Sequence, residues 1–157
     1  FAVTAVVNGG TGARPTKDGL SATAYPSGVR GTPVEINEAV APLLFLKKEY
    51  SPGSAGNGKF RGGLGQVIEV TSAINEDMDL LASFDRIKYP ARGRMGGENG
   101  KAGYVRIKDK GILNGKGTQL ISAGDILEIY TPGGAGLGQA KDRSNKNLKY
   151  DKDNEMI

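Results

Sequence analysis

Arg61 stands directly before Gly62-Gly63-Leu64-Gly65 in the stretch NGKFRGGLGQVIEV, residues 57–70. A guanidinium beside a run of unencumbered backbone N–H groups has the chemistry of an anion site. The planar fork matches phosphate or carboxylate oxygens, and successive amides can form a nest around them. Arg14 offers a second guanidinium in Arg14-Pro15-Thr16-Lys17-Asp18-Gly19, and Gly133 and Gly134 form a second glycine loop in TPGGAGLG. Arg61 is the first candidate for a phosphate or substrate contact and Arg14 the second. The carboxylates that could join them are Asp18, in an Asp-Gly turn, and Glu35 and Glu38, which share one face if their segment is helical.

The standard phosphate loops are absent. No segment reads G-x-x-x-x-G-K-[ST], and none reads G-x-G-x-x-G. Both motifs aim a helix N-terminus at the phosphate, whereas Gly65 leads into the β-like run Gln66 to Thr71. The favoured reading of Gly62, Gly63 and Gly65 is therefore a tight passage between strands, in which the backbone turns or passes close to a neighbour. Serines and threonines are plentiful, but the chain has no histidine, so no Ser-His pair can form. With neither histidine nor cysteine, a metal site built from this chain alone would need oxygen ligands suited to Mg²⁺ or Ca²⁺. No catalytic set and no metal site are predicted.

The elements that must carry these residues are short. Strand patterns run over residues 1–7, 43–50, 66–71, 104–108, 118–121 and 126–131, with Gly- and Pro-rich stretches between them. YVRIK at 104–108 alternates, placing Val105 and Ile107 inward and Tyr104, Arg106 and Lys108 outward. Residues 33–40 fit a short strand or a helical turn, and residues 78–87 fit a strand or a capped helix. Residues 13–32 read as an ordered loop or two short strands. Asn114-Gly115-Lys116-Gly117 has hairpin chemistry. The 25 glycines among 157 residues lack a G-X-Y period, which excludes collagen and predicts many turns with positive φ. The expected fold is mainly β, a Gly-rich sandwich or barrel-like domain of short strands with few short helices. It spans residues 1–138, and a charged tail, partly disordered or a short helix, follows over 139–157.

The net charge of +4 is spread without a dense basic run, so a soluble basic surface is favoured over nucleic-acid binding. No apolar stretch approaches the ~20 residues of a membrane span. The chain starts without Met inside a strand-like run, and a piece of a longer polypeptide is expected.

Four segments, in order, carry a resemblance: NGGTGARPTKDGL, TPVEINEAVAP, GNGKFRGGLGQ and GDILEIYTPGGAGLG. Together with RIKYPARGRMGGENGKAG they resemble the C-terminal part of the hydantoinase B/5-oxoprolinase family. The resemblance implies a cytoplasmic enzyme working with a hydantoinase A-like ATP-binding subunit or domain. ATP would activate the amide oxygen of a cyclic amide so that water can open the ring. Related members carboxylate ketones, which leaves a carboxylase component, or a non-catalytic β assembly domain, as alternatives. In the family, metal ligation comes from residues earlier in the chain. This segment would accordingly bind no cofactor itself, and ATP and a divalent metal would be held by the N-terminal remainder or the partner. It would supply structure, an active-site wall or a subunit interface. The family's last glycine motif commonly continues Gly-Asp-Pro, where Gln139-Ala140 follow Gly138 here, and its Asp-Ser-Gly-Gly loop is replaced by Ser51-Pro52-Gly53-Ser54.

Overall fold

The computed structural model describes residues 2–25, 28 and 31–157. Among these residues seven strands and two short α-helices follow in the order α1 (Val34–Val40), β1 (Leu43–Tyr50), β2 (Gln66–Ser72), β3 (Met78–Ser83), β4 (Tyr104–Ile107), β5 (Gly111–Ile112), β6 (Lys116–Ile121), β7 (Leu127–Tyr130) and α2 (Asn145–Asp153), with one 3-10 turn (Ala140–Asp142) before α2. Five strands form one antiparallel sheet in the order β1-β2-β7-β4-β5, and β3 pairs with β6 in a second, two-stranded sheet. The chain is mainly β and sandwich-like, and its sheets do not close into a barrel.

Alternation builds the core. Ile68 pairs with Ile129, Val70 with Leu127, and the β4 residues Val105 and Ile107 pair with the same two on the other side. These six residues and Ile121 of β6 form one buried cluster, against which Met78, Leu80 and Phe84 pack. Each such side chain contributes about 1.5–3 kcal/mol through burial. The opposite face carries charge in register. Glu128 on the central strand β7 lies between Glu69 and Arg106, and Lys47 flanks Glu69. Arg106 pairs with Glu128, and Lys108 meets Glu69 at 2.8 Å. Tyr104 stacks on Tyr130 with ring centroids 4.3 Å apart.

Some local expectations change, and two open alternatives are resolved. Phe1 lies outside the described residues, and residues 2–7 form no strand. Residues 13–25 hold only the bridge Arg14–Lys17, while Pro26, Ser27, Val29 and Arg30 lie outside the described residues. Residues 34–40 are helical and 78–83 are extended. Asn114 to Gly117 does not join paired strands, because β5 pairs with β4 and β6 crosses to β3. The Gln119 side-chain amide closes that segment instead, exchanging hydrogen bonds with the backbone N–H and C=O of Asn114 at 2.7 Å each.

At the glycine clusters one of the two expected readings holds: the backbone passes close to its neighbours rather than turning. None of Gly62, Gly63, Gly65, Gly133 and Gly134 has positive φ. They are extended segments outside the sheets, and their backbones pack side by side. Gly134 N–H donates to Gly63 O (2.9 Å), and Gly134 O accepts from Gly56 N–H (2.8 Å). Gly133 and Gly136 donate to Lys101 O and Glu98 O, while Pro132 O and Ala135 O accept from Gly10 and Ala13. The central segment thus bonds to three neighbours, with partners recurring every third residue. Three residues per turn is polyproline II geometry, which has no internal hydrogen bonds and must find them outside itself. Glycine is required because the backbones are in contact. A Cβ at Gly62 or Gly65 would meet Gly134 O or Thr131 O well under 3.0 Å away, and one at Gly133 or Gly136 would meet Ser54 O or Asn57 O.

Candidate functional site

The loops bearing Arg61 and Asp18 converge on one buried ionic cluster. Arg61 is 4% exposed. Its Nε donates to Asp151 Oδ1 at 3.2 Å, one terminal nitrogen donates to Gly62 O at 2.6 Å, and the other approaches Met156 Sδ at 3.1 Å. Arg143 faces both acids. Its two terminal nitrogens grip Asp18 in a fork, each at 2.8 Å, and its Nε donates to Asp151 Oδ2 at 2.8 Å. The Arg61 backbone N–H also donates to Asp18 Oδ1 at 2.7 Å. Two arginines and two aspartates balance formally. No buried side-chain nitrogen or oxygen among the described residues lacks a hydrogen-bond partner.

The local causes are legible. Ser144 caps α2, its hydroxyl accepting from Asn147 N–H at 3.3 Å. The helix carries Asp151 into the cluster, where it is 1% exposed. After the helix the chain folds back, and Met156 O accepts from Gly53 N–H. Residues 139–157 are thereby joined to the glycine bundle. Arg143 and Asp151 were not among the residues singled out from sequence. The available signal was Ser144 three residues before Asn147, an N-cap at the start of an otherwise charged run.

Burial pushes the Asp18 carboxyl up, but the Arg143 fork, the Arg61 N–H and both guanidinium charges outweigh it and hold Asp18 below its ordinary 3.8. The Asp18 fork raises Arg143 above its usual value against the opposing effect of desolvation. A carboxylate with a lowered folded pKa stabilises the fold above its unfolded value, and that contribution is lost as pH falls through the folded value. Asp18→Asn is therefore expected to flatten the acid limb of stability below pH 3.8 relative to the wild type. Acid titration of both proteins followed by circular dichroism checks this; limbs of equal steepness would refute it.

The other predicted residues separate from this cluster. Arg14 is exposed and donates to Asp18 O at 2.6 and 3.0 Å, so it braces the turn. Glu35 is exposed in the first turn of α1, and Glu38 accepts from Phe45 N–H at 2.8 Å. Gly62, Gly63, Gly65, Gly133 and Gly134 all lie in the bundle beside Arg61. Among the described residues no group of three or more Asp, Glu, His or Cys side chains converges as a metal site would require. Among the same residues no helix is long and apolar enough to cross a membrane.

Most of the chain matches known proteins, including the segments that carry Asp18 and Arg61. A profile of the hydantoinase B/oxoprolinase family covers residues 1–140. The 5-oxoprolinase of Dictyostelium discoideum is 35% identical over 144 residues, 85% of this chain and 11% of that protein. Two solved structures share the fold at 21% identity. They are the ATP-dependent caprolactamase of Pseudomonas jessenii (TM-score 0.76, 97% of this chain, 28% of that one) and a nucleotide-free acetone carboxylase (TM-score 0.74, 95% and 25%). The chain therefore spans about a tenth of the length of the oxoprolinase and about a quarter of each solved chain. It belongs to the hydantoinase B/oxoprolinase family.

Proposed function

We propose that this chain is part of a longer ATP-dependent enzyme that opens cyclic amides, and that it supplies the rigid wall or subunit face on which the catalytic portions assemble. The observation that carries this reading is the convergence of the family's glycine segments, residues 9–13, 54–65, 91–101 and 132–138, into one bundle locked by Arg61, Asp151, Arg143 and Asp18. In this chain these segments contribute close backbone packing, and no metal-ligand cluster is found among the described residues. In our reading, ATP and the divalent metal are held by the rest of the chain and by a hydantoinase A-like partner in a cytoplasmic hetero-oligomer. A substrate such as 5-oxoproline or another lactam follows from the named relatives.

The complete protein with its ATP-binding partner is expected to consume a cyclic amide only when ATP is present, whereas this chain alone turns over neither. Turnover by the chain alone would sink the structural assignment. The shared fold with acetone carboxylase favours one second reading, a ketone carboxylase component. Bicarbonate-dependent loss of a ketone, with no amide opening, would select it.

A further inference from the structure

Seven arginines are described, and four are engaged. Arg14 donates to Asp18 O, Arg61 and Arg143 hold the buried cluster, and Arg106 pairs with Glu128. The other three, Arg86, Arg92 and Arg94, have exposed side chains and none is within ion-pair distance of a carboxylate among the described residues, although, after Lys116, the Arg86 charge helps lower the pKa of its neighbour Asp85. All three line the same cleft of about 380 Å³, with Tyr89 beside them and Gly12 and Ala135 contributing the bundle side. No acidic residue lines it. Arg86 and Tyr89 also line the adjoining cleft, which contains Asp85, whose carboxylate pairs with Lys116 at 2.9 Å.

The segment that presents these arginines is held in place. Arg94 N–H donates to Gly136 O, and Arg94 O accepts from Gly97 and Gly138. Gly100 N–H closes the loop onto Ala91 O, and Gly93 N–H donates to Asn99 Oδ1 at 2.9 Å. Arg86 has φ +57, a left-handed conformation unfavourable for a residue with a side chain, and its carbonyl accepts from Gly103. Three guanidiniums gathered along one cleft repel one another, and no carboxylate lines it to pair with them; Asp85, which interacts with the Arg86 charge, lines the adjoining cleft and pairs with Lys116. A multivalent oxyanion would remove that repulsion and satisfy several planar forks at once. The volume falls within the range of small-ligand sites, roughly 300–1,000 Å³.

We infer that the cleft formed by Arg86, Arg92 and Arg94 binds a phosphate-class oxyanion, either free phosphate or the phosphate end of a small ester. Tyr89, 68% exposed at the rim, gives a ring-bearing ester an aromatic surface to stack against.

The test is calorimetric titration of the complete protein with inorganic phosphate and, separately, phenyl phosphate, comparing wild type, Arg92→Ala/Arg94→Ala and Arg92→Lys/Arg94→Lys. The wild type is expected to show one site that the double alanine variant lacks or binds about a hundredfold more weakly, roughly tenfold per arginine. The lysine pair keeps the charge but loses the forks, and is expected to bind more weakly than wild type while melting at the same temperature. If the alanine variant fails to fold, the lysine variant decides the matter on that comparison. Binding of inorganic phosphate supports a free-anion site, and binding of phenyl phosphate alone supports an ester site. Equal affinity and stoichiometry in wild type and lysine variant, or no binding of either probe at low salt, would overturn the proposal.

Discussion

Gly134→Ala is expected to destabilise the protein by about 3 kcal/mol or more, at the top of the usual range for overpacking a dense interior. A Cβ at position 134 would fall against Thr11 O, C and the neighbouring Gly12 N, all backbone atoms. A side chain in its place could rotate away, but these atoms cannot, because Thr11 is held by its bonds to Leu20 and Gly63. Separating the segments would also stretch Gly134 N–H to Gly63 O and Gly56 N–H to Gly134 O, each a buried backbone bond. At about 2–4 °C per kcal/mol for a chain of this size, the melting temperature should fall by at least ~6 °C. Gly111→Ala is the matched control, since a Cβ there meets nothing within 4 Å and its φ is not positive. Its effect should stay within about 0.5 kcal/mol. Thermal unfolding of both variants decides the point: a Gly134→Ala protein melting with the Gly111→Ala protein would mean that the bundle is looser than its geometry implies.

Asp151→Ala should cost a comparable amount through different physics. The carboxylate neutralises Arg61 through one oxygen and Arg143 through the other, with all three side chains about 5% exposed or less. Removing it leaves buried guanidinium charge uncompensated, a loss of about 3–5 kcal/mol. Arg143→Ala leaves Asp151 with Arg61 alone and frees Asp18, so one carboxylate in the cluster loses its counter-charge. The combined Arg143→Met/Asp151→Leu change removes both charges and is expected to cost less than the sum of the two single truncations. Arg61→Ala separates two roles for that residue. If Arg61 serves the fold, as its bonds to Asp151 and Gly62 O support, activity of the complete enzyme and melting temperature fall together. A raised KM at unchanged melting temperature would instead mark a substrate contact. Denaturant unfolding of the single and double variants measures the coupling directly, and strictly additive losses would show that the four residues do not act as a unit.

The strands were readable because their signal is local. Alternation over residues 104–108 identifies which side chains face inward, and Val105 and Ile107 are indeed buried, since a strand's period of two is written in consecutive residues. Family membership was readable for a related reason: closely packed backbones tolerate only glycine, so the bundle leaves an ordered set of glycine motifs in the chain. Which of two actions those glycines perform, turning or close passage, was not readable. A polyproline-type segment takes its hydrogen bonds from other segments, so turn chemistry and close packing look alike until the partners are known. Gly134 meets Gly63 and Thr11, both far away in sequence.

The same separation in sequence hid the ionic cluster. Arg61 lies 90 residues from Asp151, and Asp18 lies 125 residues from Arg143. Only the folded chain decides which charges on a dispersed basic surface become buried and paired, because desolvation depends on neighbours supplied by every other segment. It also decides which stay open. Seven described arginines have the same chemistry in the sequence. Tertiary structure assigns two to a buried network, two to surface contacts, and three to a cleft that no carboxylate lines. By itself the sequence determined the strand faces, the lack of histidine and cysteine chemistry, and the family. The bundle, the buried cluster and the arginine cleft were decided by long-range packing, in which backbone and charge find partners that no local pattern encodes.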